Sequence, residues 1–234
     1  MALNKKAKKK GTDLKRSLIT NKDPQSHISE QYRTIRTNIQ FASVDKELIT
    51  IVVTSSGPEE GKSTTAANLA VVFAQQGKQV LLIDSDLRKP TVHYTFNVIN
   101  TKGLTNVLTR QSALEEVIQE SIQENLSILP SGPIPPNPAE LLSSKAMEEL
   151  MNEVKDKYDM VLFDSPPLLA VTDGQILASK CDGTLLIISS GKTEIEQAKK
   201  AKDLLNSVNS HLLGAILNNK KLKNPNYYSY FEEQ

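Results

Sequence analysis

The sequence predicts a single-domain α/β protein, a mostly parallel sheet with helices on both faces. Three observations carry that reading. Short apolar runs rich in β-branched residues alternate with segments of helical periodicity between about residues 28 and 217. A loop bearing Gly57, Gly61 and Lys62 joins the first such run to the helix after it. A chain of 234 residues can bury one sizeable core, whereas two domains would be cramped.

In chain order, Lys5, Lys6, Lys8, Lys9, Lys10, Lys15 and Arg16 make the start strongly basic. Residues 1–23 are expected to be a flexible segment, either simply solvated or drawn to an anionic lipid surface at about 1 kcal/mol per charge. After the turn signals Asn21, Asp23 and Pro24, the stripe Ile28, Tyr32, Ile35 and Ile39 predicts a helix over 24–41. The run LITIVV at 48–53 reads as a buried strand. A helix from about 62 to 76 follows, closed by Gly77. VLLI at 80–83 is the next strand, and residues 101–157 read as short helices around a strand near 126–129, broken by PSGPIPPNP. Further strands are expected at 160–163, 183–189 and 212–217, with helices near 172–180 and 193–208. The domain therefore spans 24–219. Asn224, Pro225 and Asn226 interrupt regular structure, so 220–234 is expected to be a flexible tail. Three of the six tyrosines, Tyr227, Tyr228 and Tyr230, crowd into it. They could dock on the domain surface or serve through their hydroxyls.

Composition narrows the function classes. The one cysteine, Cys181, excludes an internal disulfide framework and any CxxC pair. No apolar run reaches the length of a membrane span, and the start lacks a signal-peptide core. A cytoplasmic protein is expected. The net charge of +1 gives no reason to expect a nucleic-acid partner.

The loop SGPEEGKST, residues 56–64, sits where a strand hands over to a helix, the setting of a phosphate-binding loop. Ser56 stands where the pattern G-x-x-x-x-G-K-[ST] has its first glycine, and Gly57 comes one residue late. Backbone N–H groups of this loop can still wrap phosphates at the positive end of the following helix. Lys62 would reach the β/γ oxygens and the Ser63 hydroxyl would ligate Mg²⁺. Glu59 and Glu60, acidic beside a triphosphate, are expected to point outward. The fold class becomes P-loop NTPase-like, with ATP and Mg²⁺ as cofactors.

Asp84 and Asp86 follow one apolar strand and Asp164 ends another. Each alone could be a helix cap or a turn residue. Together, at the carboxyl ends of neighbouring parallel strands, they would repel one another unless a cation sat among them.

The segments GKST, LLIDSDLR and VLFDSPP resemble the Walker A, A′ and B motifs of the bacterial tyrosine kinases, and SEQYRTIRTNIQF and the tyrosine-rich tail complete that layout. The likeness runs from about Ser29 to the C-terminus and is greatest to the separate cytoplasmic kinase of Gram-positive bacteria. It implies an ATP- and Mg²⁺-dependent protein-tyrosine kinase. Residues 56–64 (Ser56, Gly57, Pro58, Glu59, Glu60, Gly61, Lys62, Ser63 and Thr64) would bind ATP. Lys62, Asp84 and Asp86 would be catalytic, and Ser63, Asp86 and Asp164 would hold the metal. Asp84 would orient or deprotonate the incoming tyrosine. Tyr227, Tyr228 and Tyr230 would be phosphorylated between subunits. Glu30, Arg33 and Arg36 match a motif that joins subunits into a ring, although alone they read as a solvated face with one i, i+3 pair. Implied partners are a membrane-anchored, Wzz-like activator that brings the kinase to the inner face of the membrane, a cognate phosphotyrosine phosphatase and protein substrates. The expected setting is capsule or exopolysaccharide synthesis. The sequence departs from the family's P-G-x-G-K at Glu59, where glycine is usual. Arg88 could meet developing phosphate charge or form a salt bridge. The other reading is an ATP-switched positioning ATPase or scaffold. Against it, Gly57 replaces the early lysine typical of partitioning ATPases.

Overall fold

The computed structural model describes residues 18–42 and 48–221. A seven-stranded sheet in the order β3-β4-β2-β5-β1-β6-β7 forms the middle layer. Its strands are β1 (Thr50–Ser55), β2 (Val80–Asp84), β3 (Gln119–Glu120), β4 (Leu126–Leu129), β5 (Met160–Asp164), β6 (Gly183–Ser189) and β7 (Leu212–Asn218). All pairings are parallel except that of the short edge strand β3.

The strands are buried on both faces, and their alternation divides the core in two. Val52, Leu81, Ile83, Val161 and Phe163 face one cluster, closed by α5 (Leu104–Leu108), α6 (Pro138–Ser143), α7 (Lys145–Lys157), α8 (Asp173–Lys180) and α9 (Ile195–Ser207). Ile51, Val53, Val80, Leu82 and Leu162 face the other, closed mainly by α3 (Lys62–Ala74) and, outside it, α2 (His27–Ala42). Residues 66 to 74 of α3 are all buried, as suits a helix sandwiched between the sheet and another helix. The short α1 (Ile19–Lys22) and α4 (Val92–Phe96) complete the helices named here.

Two expectations change at the N-terminal side. Residues 18–23, assigned to a flexible segment, pack on the domain: Leu18 and Thr20 are buried. The Thr20 N–H and hydroxyl both donate to Asn68 Oδ1 of α3, at 3.2 and 2.9 Å. The stripe of α2 is also narrower than its spacing suggests. Ile39 is buried and Tyr32 and Ile35 pack against the core, but Ile28 lies exposed beyond the end of α3's cover. The tail tyrosines and the basic cluster at 5–16 lie outside the described residues.

Arg36 does not face outward. Its Nη1 donates to the Val72 carbonyl at 2.8 Å, in the last turn of α3, where carbonyls lack helical partners. The guanidinium thus caps α3 and fastens α2 to it. Glu30 and Arg33 form an i, i+3 ion pair on the exposed side, and Arg33 Nη2 also donates to the Pro24 carbonyl. Arg36→Ala should therefore lower the stability of the isolated chain by about 1.5 kcal/mol. Glu30→Ala should change it by less than about 0.5 kcal/mol. Equal losses in denaturant unfolding would contradict this assignment.

Candidate functional site

The site forms where the sheet reverses its order of connection, with β5 inserted between β1 and β2. The register sets Asp84 beside Asp164 at the carboxyl ends of β2 and β5. The alternation that sends Leu82 and Leu162 toward α3 sends these two carboxylates to the same face. β1 ends on the adjacent side and runs into the loop that starts α3.

The loop alternates hand. Glu59 has φ 58° and Gly61 φ 97°, left-handed conformations that turn successive N–H groups inward to make an anion nest. Glu59 therefore occupies a conformation that favours glycine, which accounts for the family's usual residue there. At Gly61 a Cβ would also lie 2.0 Å from Asn218 Nδ2, so any side chain there would displace the Asn218 amide that donates to the Glu60 carbonyl. α3 then starts at Lys62, presenting its unpaired N–H groups to the nest.

Lys62 supplies the cation that the three aspartates require. Its Nζ is 3.0 Å from Asp86 Oδ2, 3.7 Å from Asp164 Oδ1 and 3.3 Å from Ser63 Oγ. Burial alone would lower the Lys62 pKa, but the charges of Asp164 and Asp86 raise it above the usual value. Asp84 is fully buried, and its Oδ2 accepts from the Thr91 and Val92 N–H groups at 2.9 Å each. Its Oδ1 makes no hydrogen bond among the described residues. Burial first, then the neighbouring Asp164, push its pKa up to about 8, against the Val92 hydrogen bond. Asp86 Oδ1 accepts from the Lys89 N–H at 3.0 Å. Asp84 and Asp86 thus fill cap and turn roles at the same time as they converge with Asp164.

A cavity of about 580 Å³ opens here, lined by Pro58, Glu59, Gly61–Thr64, Asp86 and Lys89 on one side and by Pro166, Pro167, Ala170 and Val171 on the other. That volume suits a nucleotide-sized ligand. Among the described residues no three His, Cys, Asp or Glu side chains form a metal cage. Mg²⁺ typically takes one or two carboxylates and completes its shell with phosphate and water oxygens. Asp86, Asp164 and the Ser63 hydroxyl offer such a hard-oxygen set.

One side chain differs from expectation and another takes one of the two roles left open for it. Glu60 is turned inward at 2% exposure, its carboxylate taken up by the Ser56 N–H and the Thr193 hydroxyl. Arg88, for which two roles were open, makes a bidentate pair with the buried Asp173. Ser56 and Gly57 shape the entry to the loop, where Ser55 Oγ donates to the Gly57 carbonyl at 2.7 Å. Thr64 lines the cavity. Sequence reasoning missed Lys192, Thr193 and Asn218, which hold the loop from behind and carry no motif of their own.

Residues 46–220 match the family described as an AAA domain. The chain is 60% identical over 224 residues to tyrosine-protein kinase YwqD of Bacillus subtilis (strain 168), covering 96% of this chain and 94% of the relative. It is 40% identical over 228 residues to the putative tyrosine-protein kinase CapB of Staphylococcus aureus, covering 97% and 99%. Among solved structures, the chimerical protein CapA2B2 superposes with a TM-score of 0.85 at 41% identity, over 88% of this chain and 90% of that one.

Proposed function

The chain belongs to the bacterial tyrosine-protein kinases, P-loop enzymes, and from that premise we propose how its own residues carry the reaction and on which tyrosines. The single observation that supports the reading best is the Lys62 ammonium, which lines the cavity between Asp86 and Asp164, beside a buried Asp84 whose Oδ1 has no hydrogen-bond partner among the described residues. The nest at 57–63 receives the β- and γ-phosphates, and Lys62 swings from the aspartates to the phosphate oxygens. Bound Mg²⁺, held by Ser63, Asp86 and Asp164 directly or through water, would neutralise charge on the transferring group. Asp84 Oδ1 then accepts a hydrogen bond from the incoming tyrosine hydroxyl. A phenol's pKa lies near ~10, so an ordinary carboxylate is a poor base for it. In a loose transition state positioning matters more than early proton removal, so Asp84 acts chiefly by orienting the hydroxyl.

The acceptors we propose are Tyr227, Tyr228 and Tyr230, presented by a neighbouring copy. The activator is a membrane-anchored adaptor that recruits the kinase to the inner face of the membrane. Among the described residues no helix is long and apolar enough to cross one. Regulation of capsular or exopolysaccharide synthesis, removal of the phosphates by a cognate phosphatase, and a ring joined through Glu30 and Arg33 belong to the same proposal. Arg36 would contribute to the ring by holding α2 in place.

The deciding experiment incubates the full chain with labelled ATP, Mg²⁺ and the activator's cytoplasmic segment, then reads phosphotyrosine. Mixing a Lys62→Met chain with one truncated after residue 226 should label the Lys62→Met chain, because transfer runs between molecules. No label on the Lys62→Met chain, with the wild-type chain labelled in parallel, would refute the intermolecular step. Release of phosphate to water with no tyrosine labelled would favour the positioning ATPase instead.

A further inference from the structure

Glu60 sits in an unusual place for an anion. Its carboxylate lies inside the turn of a loop built to bind phosphates, 2% exposed, and it accepts from the Ser56 N–H at 3.0 Å and from the Thr193 hydroxyl at 2.7 Å. Its backbone carbonyl accepts from Asn218 Nδ2 at 3.0 Å. A Cβ on Gly57 would stand 3.4 Å from Glu60 Oε1, so the loop is drawn closely around this group. Lys192, which also reaches this loop, is directed elsewhere. Its Nζ donates to the Pro58 and Glu59 carbonyls at 3.0 and 3.2 Å and pairs with the exposed Glu59 carboxylate.

Two consequences of opposite sign follow. The hydrogen bonds brace the loop in the form that points its N–H groups at a ligand, which favours binding. The negative charge lies at the base of that loop, where it occupies the Ser56 N–H and opposes any phosphate entering the nest, which disfavours binding. We propose that Glu60 is a positioning residue that shapes the phosphate loop while its charge limits how tightly nucleotide is held, hastening release of the diphosphate product. This rests on the reading that the loop binds ATP.

Glutamine separates the two effects. Its amide oxygen can accept from the Ser56 N–H, and the Thr193 hydroxyl can rotate to accept from its NH₂ group, so both braces survive without the charge. Alanine loses both.

The test measures ADP binding by calorimetry with Mg²⁺ present, and dissociation of a fluorescent ADP by stopped flow, on the full chain. E60Q should bind ADP about threefold to tenfold more tightly than wild type and release it more slowly, the lost repulsion being partly offset by the weaker hydrogen bonds that a neutral amide accepts. Glu60→Ala and Thr193→Val should both bind more weakly. A residue acting only as a structural brace would give weaker binding in all three. E60Q that binds no more tightly than wild type, or that fails to fold by circular dichroism, overturns the proposal. So does unchanged affinity in Thr193→Val. A wild-type chain that binds no ADP would remove the nucleotide reading itself, which is a separate result.

Discussion

Lys62→Met is expected to reduce tyrosine phosphorylation by at least about a hundredfold. Independently, it should destabilise the nucleotide-free protein by about 3 kcal/mol. The two losses have different causes. Activity falls because no ammonium reaches the phosphate oxygens. Stability falls because Asp86 and Asp164, both buried, lose the cation that lies 3.0 and 3.7 Å from them. Asp84 shows what such crowding does, with its pKa already pushed up to about 8 by burial and by Asp164. Without Lys62 the carboxylates face one another with no compensating charge, and breaking a buried pair costs more than forming it contributes. A second substitution, Asp86→Asn, should recover more than half of the lost stability and none of the activity. Denaturant unfolding of the single and double variants reads this directly. A Lys62→Met chain as stable as wild type would show that Lys62 is not the counter-ion of these carboxylates. The practical point is that this variant is not a silent inactive control, and assays of assembly that use it should first measure its folding.

The parts of this architecture that follow local rules were legible. β6 falls on residues 183–189 as its apolar run predicts, and Lys62, Asp84, Asp86 and Asp164 could be picked out because each directly follows a strand or opens a helix. β1 begins at Thr50, two residues later than the apolar run, because pairing with β5 starts there. β3 has no apolar pattern at all. Gln119 and Glu120 are a strand only because β4 offers them an antiparallel edge. Contacts made across long stretches of chain were hidden for the same reason. Thr193 meets Glu60 across 133 residues and Asn218 meets it across 158, with nothing in either neighbourhood to announce it. Arg36 shows a different limit. A helical wheel gives the direction of a Cβ, but a long guanidinium side chain can turn back to a carbonyl of the neighbouring helix.

Arg88→Ala should lower stability by about 2 kcal/mol, and Arg88→Lys should restore only part of that. Asp173 is fully buried, and its two oxygens accept from Arg88 Nε and Nη2 at 2.9 and 3.0 Å. Arg88 is itself 41% exposed along its side chain, so water screens the pair and keeps the expected loss below that of a fully enclosed one. The N-terminus of α8, which Asp173 opens, offsets some of the abandoned charge. Lysine can replace one of the two hydrogen bonds but cannot match the planar fork. The pair also ties the segment carrying Asp86 to α8, so its loss should loosen the side of the site proposed to hold metal and phosphate. That makes two roles for Arg88 separable. If it acts as a tie, Asp173→Asn should lower activity about as much as Arg88→Ala, and the double variant should cost little more than either. If it instead meets developing charge on the phosphate, Asp173→Asn would leave Arg88 free to do so, and activity would survive. A double-mutant cycle on both unfolding free energy and phosphotyrosine yield distinguishes them, and strong coupling in both measurements is the expected result.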